Sequence, residues 1–125
     1  MRLLLDTSVL IDHLRAEPAA VTFLIEANRR GDELIGSVVS RTEVLRGMRS
    51  AERGATERLL DLLAGYDITV EVADRAGEFA RRYRRSHPGV DVADFLIAAT
   101  SEVAGARVVT RNLKHFPMVP EPLTY

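Results

Sequence analysis

The stretch Arg2-Leu3-Leu4-Leu5-Asp6-Thr7-Ser8 decides how the chain is read. A short apolar run that meets an acid and two hydroxyl residues reads as a buried strand ending at a helix cap. Thr7 or Ser8 is expected to supply the oxygen for the first free N–H groups of that helix. Working outward, the first helix is predicted over residues 9–15. Pro18 opens a second, which ends near Gly31. Residues 34–37 form a second short strand and residues 38–50 a helix. Gly54 separates that helix from another over 56–64, closed by Gly65. The β-branched run Ile68-Thr69-Val70 places a third strand at 67–70. An arginine-rich helix follows over 72–86 and is broken by His87-Pro88-Gly89. A strongly apolar helix over 91–103 is closed by Gly105, and residues 107–110 make a fourth strand. The tail, with Pro117, Pro120 and Pro122, is extended or irregular. Strands alternating with helices imply a mostly parallel central sheet covered on both faces. One α/β/α domain over residues 1–125 is expected, with no repeat or linker.

The chain has 125 residues, 46% of them hydrophobic, enough for a core without disulfides or a structural metal. It has no cysteine, which excludes disulfides and thiolate zinc sites. There is no basic-then-apolar leader, since Asp6 interrupts the apolar run, and no stretch suits a membrane span. A soluble, cytoplasmic protein is therefore expected. A net charge of −1 is not that of a general polyanion binder, so any nucleic acid has to be held by local patches.

Asp6 should point into the crevice beyond the strand ends, where open α/β sheets gather ligands. Taken alone it reads more readily as a helix cap, and it is the other acids in suitable places that shift the balance. Glu43 lies one to two turns into the helix after the second strand, between Val39 and Val44-Leu45. A buried glutamate there must be paired or metal-bound, with Arg46 as the nearest alternative partner. Asp91 and Asp94 share one face of a first helical turn. Asp91 suits a cap, whereas Asp94 leads directly into the apolar run Phe95-Leu96-Ile97-Ala98-Ala99. Asn112 follows a strand again. Each of these places delivers a hard oxygen ligand of the kind Mg²⁺ takes, and three such carboxylates repel one another unless a cation joins them. His13, His87 and His115 read as surface or packing residues. A carboxylate–magnesium site without a protein nucleophile suits activation of water against a phosphodiester.

At this point the residues resemble a known family, the PIN-domain ribonucleases, and in particular the VapC-type toxins of toxin–antitoxin pairs. The motifs are Leu3-Leu4-Leu5-Asp6-Thr7-Ser8-Val9-Leu10-Ile11, Ser40-Arg41-Thr42-Glu43-Val44-Leu45-Arg46-Gly47, Asp94-Phe95-Leu96-Ile97-Ala98-Ala99-Thr100, and Val109-Thr110-Arg111-Asn112 followed by Phe116. Their order and spacing cover the chain nearly end to end. The resemblance implies a three-layer α/β/α PIN domain and an endoribonuclease dependent on Mg²⁺, with Mn²⁺ able to substitute. It also implies inhibition by a cognate VapB-like antitoxin and a homodimer. Asp6, Glu43 and Asp94 match the family's three acids, and Asn112 matches a fourth position that carries aspartate or asparagine. Thr7, Ser8 and Thr110 match hydroxyls that line the site, with Asp91 as an auxiliary. His115 stands where an acid is common, and Ser101 where alanine is usual. Asparagine at position 112 would hold a second metal more weakly.

Two groups of arginines remain. Arg81, Arg82, Arg84 and Arg85 form a cluster that is either a solvated helix face or a phosphate-contact surface. Arg46, one turn beyond Glu43, is the stronger candidate for RNA contact near a metal. An antitoxin's acidic segment could use the same side chains. Other functional classes fit less well. A phosphotransfer module of this architecture needs a second acid near Asp6 where Ser8 stands, and a dinucleotide site needs a glycine-rich turn. A non-catalytic or differently specific nucleic-acid-binding protein on the same fold remains the alternative.

Overall fold

A computed structural model describes all 125 residues. β1 (Arg2–Leu5) leads into α1 (Thr7–Leu14) and α2 (Pro18–Arg29), then β2 (Glu33–Ser37) and α3 (Val38–Arg46). A 3₁₀ turn at Ser50–Glu52 precedes α4 (Arg53–Asp61) and β3 (Ala64–Tyr66). α5 (Val70–Tyr83), α6 (Val92–Ala104), β4 (Arg107–Val109) and a 3₁₀ turn at Leu113–His115 complete the chain. The four strands form one parallel sheet in the order β3-β2-β1-β4. This is the three-layer α/β/α arrangement the alternation implied, with every strand pair parallel.

The leucines of β1 explain why it lies inside the sheet. Successive strand side chains face opposite sides, so Leu3 and Leu5 enter one core and Leu4 the other, all three fully buried. Leu4, Ile35 and Val108 pack under α5 and α6, with Phe95, Phe116 and Met118. Leu3, Leu5 and Val109 pack with Val9 and Leu10 of α1, Leu24 of α2 and Leu59 and Leu60 of α4.

Several boundaries differ from the sequence reading. The third strand lies at Ala64–Tyr66, not 67–70, because Ala64, Gly65 and Tyr66 register against Ile35, Gly36 and Ser37. A Cβ on Gly36 would stand 3.0 Å from Leu63 Cδ1, so a larger residue there would require the Leu63 side chain to give way. The β-branched residues instead lead into α5, where the Thr69 hydroxyl accepts from Val72 N–H at 3.2 Å; cap chemistry overrides strand propensity there. The third helix stops at Arg46, before Gly47, and Gly54 lies within α4 rather than ahead of it. The first helix starts at Thr7, with Asp6 in the N-cap position that Thr7 or Ser8 was expected to fill. The end of α6 agrees with expectation: Gly105, at φ 63° and ψ 40°, provides the left-handed turn.

The tail is less irregular than its prolines suggest. Leu123 bridges Val109 in parallel. Thr110 N–H donates to Leu123 O at 2.9 Å, and Leu123 N–H donates to Val108 O at 2.8 Å. The outer edge of β4 is thereby covered. No helix is long and apolar enough to cross a membrane.

Leu4 is fully buried on the α5/α6 side, so Leu4→Ala should lower unfolding stability by about 2–5 kcal/mol, as other leucine truncations in close-packed cores do. Urea denaturation followed by circular dichroism checks this; a loss below about 1 kcal/mol would contradict the packing described.

Candidate active site

β1 and β4 are neighbours, and Asp6 and Thr110 are the residues that leave their carboxyl ends. This is where the strand order changes direction, the place at which open parallel sheets open a crevice. Asp6 N–H donates to Val109 O at 2.9 Å, which extends the strand pairing by one residue and fixes the backbone of Asp6. Its side chain, 5% exposed, makes no cap hydrogen bond to α1. The Thr110 hydroxyl donates to Asp6 Oδ2 at 2.8 Å, and the Ser8 hydroxyl donates to the same oxygen at 2.9 Å. Both donors fall on Oδ2, which leaves Oδ1 for another partner. The helix-cap reading of Asp6 therefore fails for its side chain.

The second acid comes from α3. Ser37 caps that helix, its hydroxyl accepting from Val39 N–H at 3.2 Å. Glu43 lies on the same helix and takes no ion pair with Arg46; instead the Thr7 hydroxyl donates to Glu43 Oε1 at 2.7 Å. Thr7 Oγ1 also lies 3.0 Å from the hydroxyl of Ser40, a buried polar residue that sequence reasoning did not single out. With its one proton committed to the carboxylate, Thr7 can accept from Ser40. The hydroxyls expected to cap α1 are thus both drawn to carboxylates.

The third acid opens α6. Asp91 and Asp94 form a reciprocal capping box: Asp94 N–H donates to Asp91 Oδ1 at 3.1 Å and Asp91 N–H donates to Asp94 Oδ2 at 3.2 Å. Asp91 is exposed, as a cap should be. Asp94 is largely covered, and burial raises its carboxyl to about 6, with the neighbouring charges of Asp91 and Asp6 pushing the same way. The backbone hydrogen bond from Asp91 and the nearby His115 oppose that rise.

His115 corrects the sequence reading. It is no mere surface or packing residue, for its Nδ1 stands 3.4 Å from Asp94 Oδ2. Asn112 is exposed, and its backbone N–H donates to Thr110 Oγ1 at 2.9 Å, so it sits on the rim rather than among the acids. Arg46 is exposed at the end of α3 without a carboxylate partner. Sequence reasoning also missed Arg111, whose guanidinium pairs with Asp12 at 2.7 Å. Asp12 in turn accepts from the Tyr125 hydroxyl at 2.8 Å, and Arg111 N–H donates to Ser8 Oγ at 3.2 Å. The chain's last residue is thereby linked to the serine that orients Asp6. No pattern in the primary sequence signals that link.

No three acidic or histidine side chains converge closely enough to enclose an ion by themselves. The donor set nevertheless suits Mg²⁺, which takes hard oxygens and retains several waters instead of a full protein cage. Two observations favour such a partner: the undonated oxygen of buried Asp6, and the raised carboxyl of Asp94 beside other negative charge.

The PIN domain family matches residues 3–121. The chain belongs to the PIN-domain family. It is 43% identical over 118 residues to Ribonuclease VapC19 of Mycobacterium tuberculosis, covering 94% of each chain. It is 46% identical over 116 residues to Ribonuclease VapC10 of the same organism, covering 93% of this chain and 86% of that one. The fold is also that of the DNA-bound VapBC of Salmonella typhimurium (TM-score 0.81, 22% identity, covering 100% of this chain and 97% of that one). A toxin–antitoxin complex from Klebsiella pneumoniae superposes with a TM-score of 0.79 at 24% identity, covering 98% and 99%. The resemblance carried by the sequence motifs is thus a true family relationship for this PIN domain.

A carboxyl raised by folding costs stability once it ionises, so stability should be present below about pH 4 and be lost as pH rises through about 6. Thermal melts in EDTA should show this loss between about pH 4 and pH 6 from Asp94, and Asp94→Asn should flatten that part of the profile. An unchanged profile in the variant would contradict the buried, charge-crowded placement of Asp94.

Proposed function

We propose that this PIN domain is a metal-dependent endoribonuclease toxin of the VapC type, acting in the cytoplasm and neutralised by a VapB-like antitoxin. The observation that carries the reading is the buried Asp6 carboxylate, which makes no helix-cap hydrogen bond and is held by Ser8 and Thr110 near the raised Asp94. The names of the M. tuberculosis relatives support ribonuclease activity. The VapBC complexes among proteins of this fold support an antitoxin partner. A homodimer is part of the same proposal.

Asp6, Asp94 and Glu43 would hold Mg²⁺, or Mn²⁺ in its place, with Asn112 at the rim and Asp91 fixing the turn that presents Asp94. When bound, such an ion supplies an activated water and neutralises charge on the phosphodiester. Ser8 and Thr110 keep the Asp6 carboxylate in one orientation, and Thr7, with Ser40 behind it, does the same for Glu43. Burial beneath the strand ends excludes bulk water and strengthens every charge interaction there. Arg46, exposed at the end of α3, would contact a phosphate of the substrate without reading its base.

Cleavage of single-stranded RNA by the purified chain should require Mg²⁺ or Mn²⁺, stop in EDTA, and disappear in Asp6→Ala and Asp94→Asn. Thr110→Val, which removes only the orienting hydroxyl, should weaken metal affinity about 10–100-fold, as loss of partners behind metal ligands generally does. Calorimetric metal titration and gel assays of cleavage read these outcomes. Persistent cleavage by the acid variants would sink the assignment. The absence of three closely converging acids favours a second reading, a nucleic-acid-binding protein without catalysis; no metal binding in the titration would select it.

A further inference from the structure

The cluster Arg81-Arg82-Tyr83-Arg84-Arg85-Ser86-His87 places four positive charges within five residues of a chain whose net charge is −1. All four arginines are exposed. Arg2, Arg53, Arg75 and Arg111 each reach a carboxylate, but none of these four has an acidic partner within 4.0 Å. Favourable interaction with the carbonyl end of α5 accounts for Arg81 and Arg82 in its last turn. It does not account for Arg84 and Arg85, at and beyond the cap, where like charges three and four residues apart repel one another. Four like charges within five residues make this helix end a local positive patch that attracts an anion.

Its position connects it to the acidic site. Arg75, early in α5, pairs with Glu102 in the last turn of α6, and Phe79 lines one cavity together with Ala98. The two helices therefore run antiparallel, and the C-terminal end of α5 lies beside the α6 start that carries Asp91 and Asp94. The connection is compact: His87 N–H donates to Tyr83 O at 2.8 Å and Val90 N–H to His87 O at 3.1 Å. Even fully extended, the six steps from Arg85 to Asp91 would span only about 20 Å. An aromatic surface is interleaved with the charges. The Arg82 guanidinium lies 5.4 Å from the Tyr83 ring centre, and Tyr83 meets His87 edge-on at 5.7 Å. His87 Nδ1 lies 2.8 Å from the Ser86 hydroxyl. Tyr83 itself packs against the core, so it anchors this helix end, and the exposed arginines form the positive surface that can track a nucleic-acid backbone.

We propose that the α5 end, Arg81 to His87, is a substrate-binding rim that grips single-stranded RNA a few nucleotides from the scissile bond, with phosphate contacts from Arg81, Arg84 and Arg85. This rests on the ribonuclease reading for its site, but binding can be measured without cleavage. The test uses the full chain, a fluorescein-labelled single-stranded RNA of mixed sequence, and fluorescence anisotropy in EDTA over a salt series. The Arg81→Gln/Arg84→Gln/Arg85→Gln variant should bind more weakly, with its log–log salt slope reduced by about 2, roughly 0.7 for each lost phosphate contact. The corresponding triple lysine variant should recover the slope. With Mg²⁺ or Mn²⁺ the glutamine variant should show a raised KM on the long RNA and an unchanged kcat, while both proteins cut a dinucleotide equally well. Wild-type binding with this slope but without cleavage would support the rim and defeat the ribonuclease reading. An unchanged slope in the glutamine variant, or wild type that does not bind RNA, would overturn the rim. So would a loss confined to binding of a polyglutamate peptide, which would make this surface a protein-docking face.

Discussion

The site depends on holding one carboxylate, Asp6, almost out of water. A charge so placed needs compensation, and its local partners are two hydroxyls that both donate to Oδ2. One comes from the next turn of its own helix; the other comes from 104 residues away, at the end of β4. That second donor is present only because β1 and β4 pair in parallel and stop together, Leu5 opposite Val109. Sheet register and site geometry are therefore a single constraint. A slip of one residue would turn Leu3 and Leu5 to the wrong core and would move Thr110 away from Asp6.

Around that carboxylate, the surrounding polar groups are arranged to orient acids. Thr7 and Ser8, which could have capped α1, reach Glu43 and Asp6 instead. α1 is left without a side-chain cap, whereas Asp91 caps α6, and its box with Asp94 sets the first turn of that helix. The C-terminal residue takes part as well, since Tyr125, Asp12 and Arg111 form a hydrogen-bonded group whose backbone reaches Ser8. Acids crowded in this way raise the cost of ionising Asp94, and a divalent cation is the simplest group that would lower it.

Charge is divided between two places at this end of the molecule. The buried Asp6 and the largely covered Asp94 lie at the strand ends and the start of α6, and unpaired arginines stand on the exposed end of α5. A polyanion drawn to a chain of nearly neutral net charge has to be attracted locally, which a segregated arrangement achieves and a mixed surface does not.

Much of this was legible in the primary sequence. The apolar run of β1, the helix opened by Pro18 and the close at Gly105 are local signals, set by burial, by a missing N–H and by a left-handed backbone. The three acids were also legible, since each follows a strand or stands among core residues. Local chemistry misled at residues 67–70, where β-branched residues looked like a strand but Thr69 caps α5. It misled again at His115, whose neighbour Asp94 is 21 positions away. By itself the sequence determined the layers and the family motifs, because these rest on periodicity and on residue type. Only the tertiary structure decided which hydroxyl serves which carboxylate, that the Asp6 side chain makes no cap hydrogen bond to α1, and that the arginine-bearing end of α5 lies on the same side as the start of α6. Those outcomes rest on contacts between residues far apart in the chain, which no local pattern encodes.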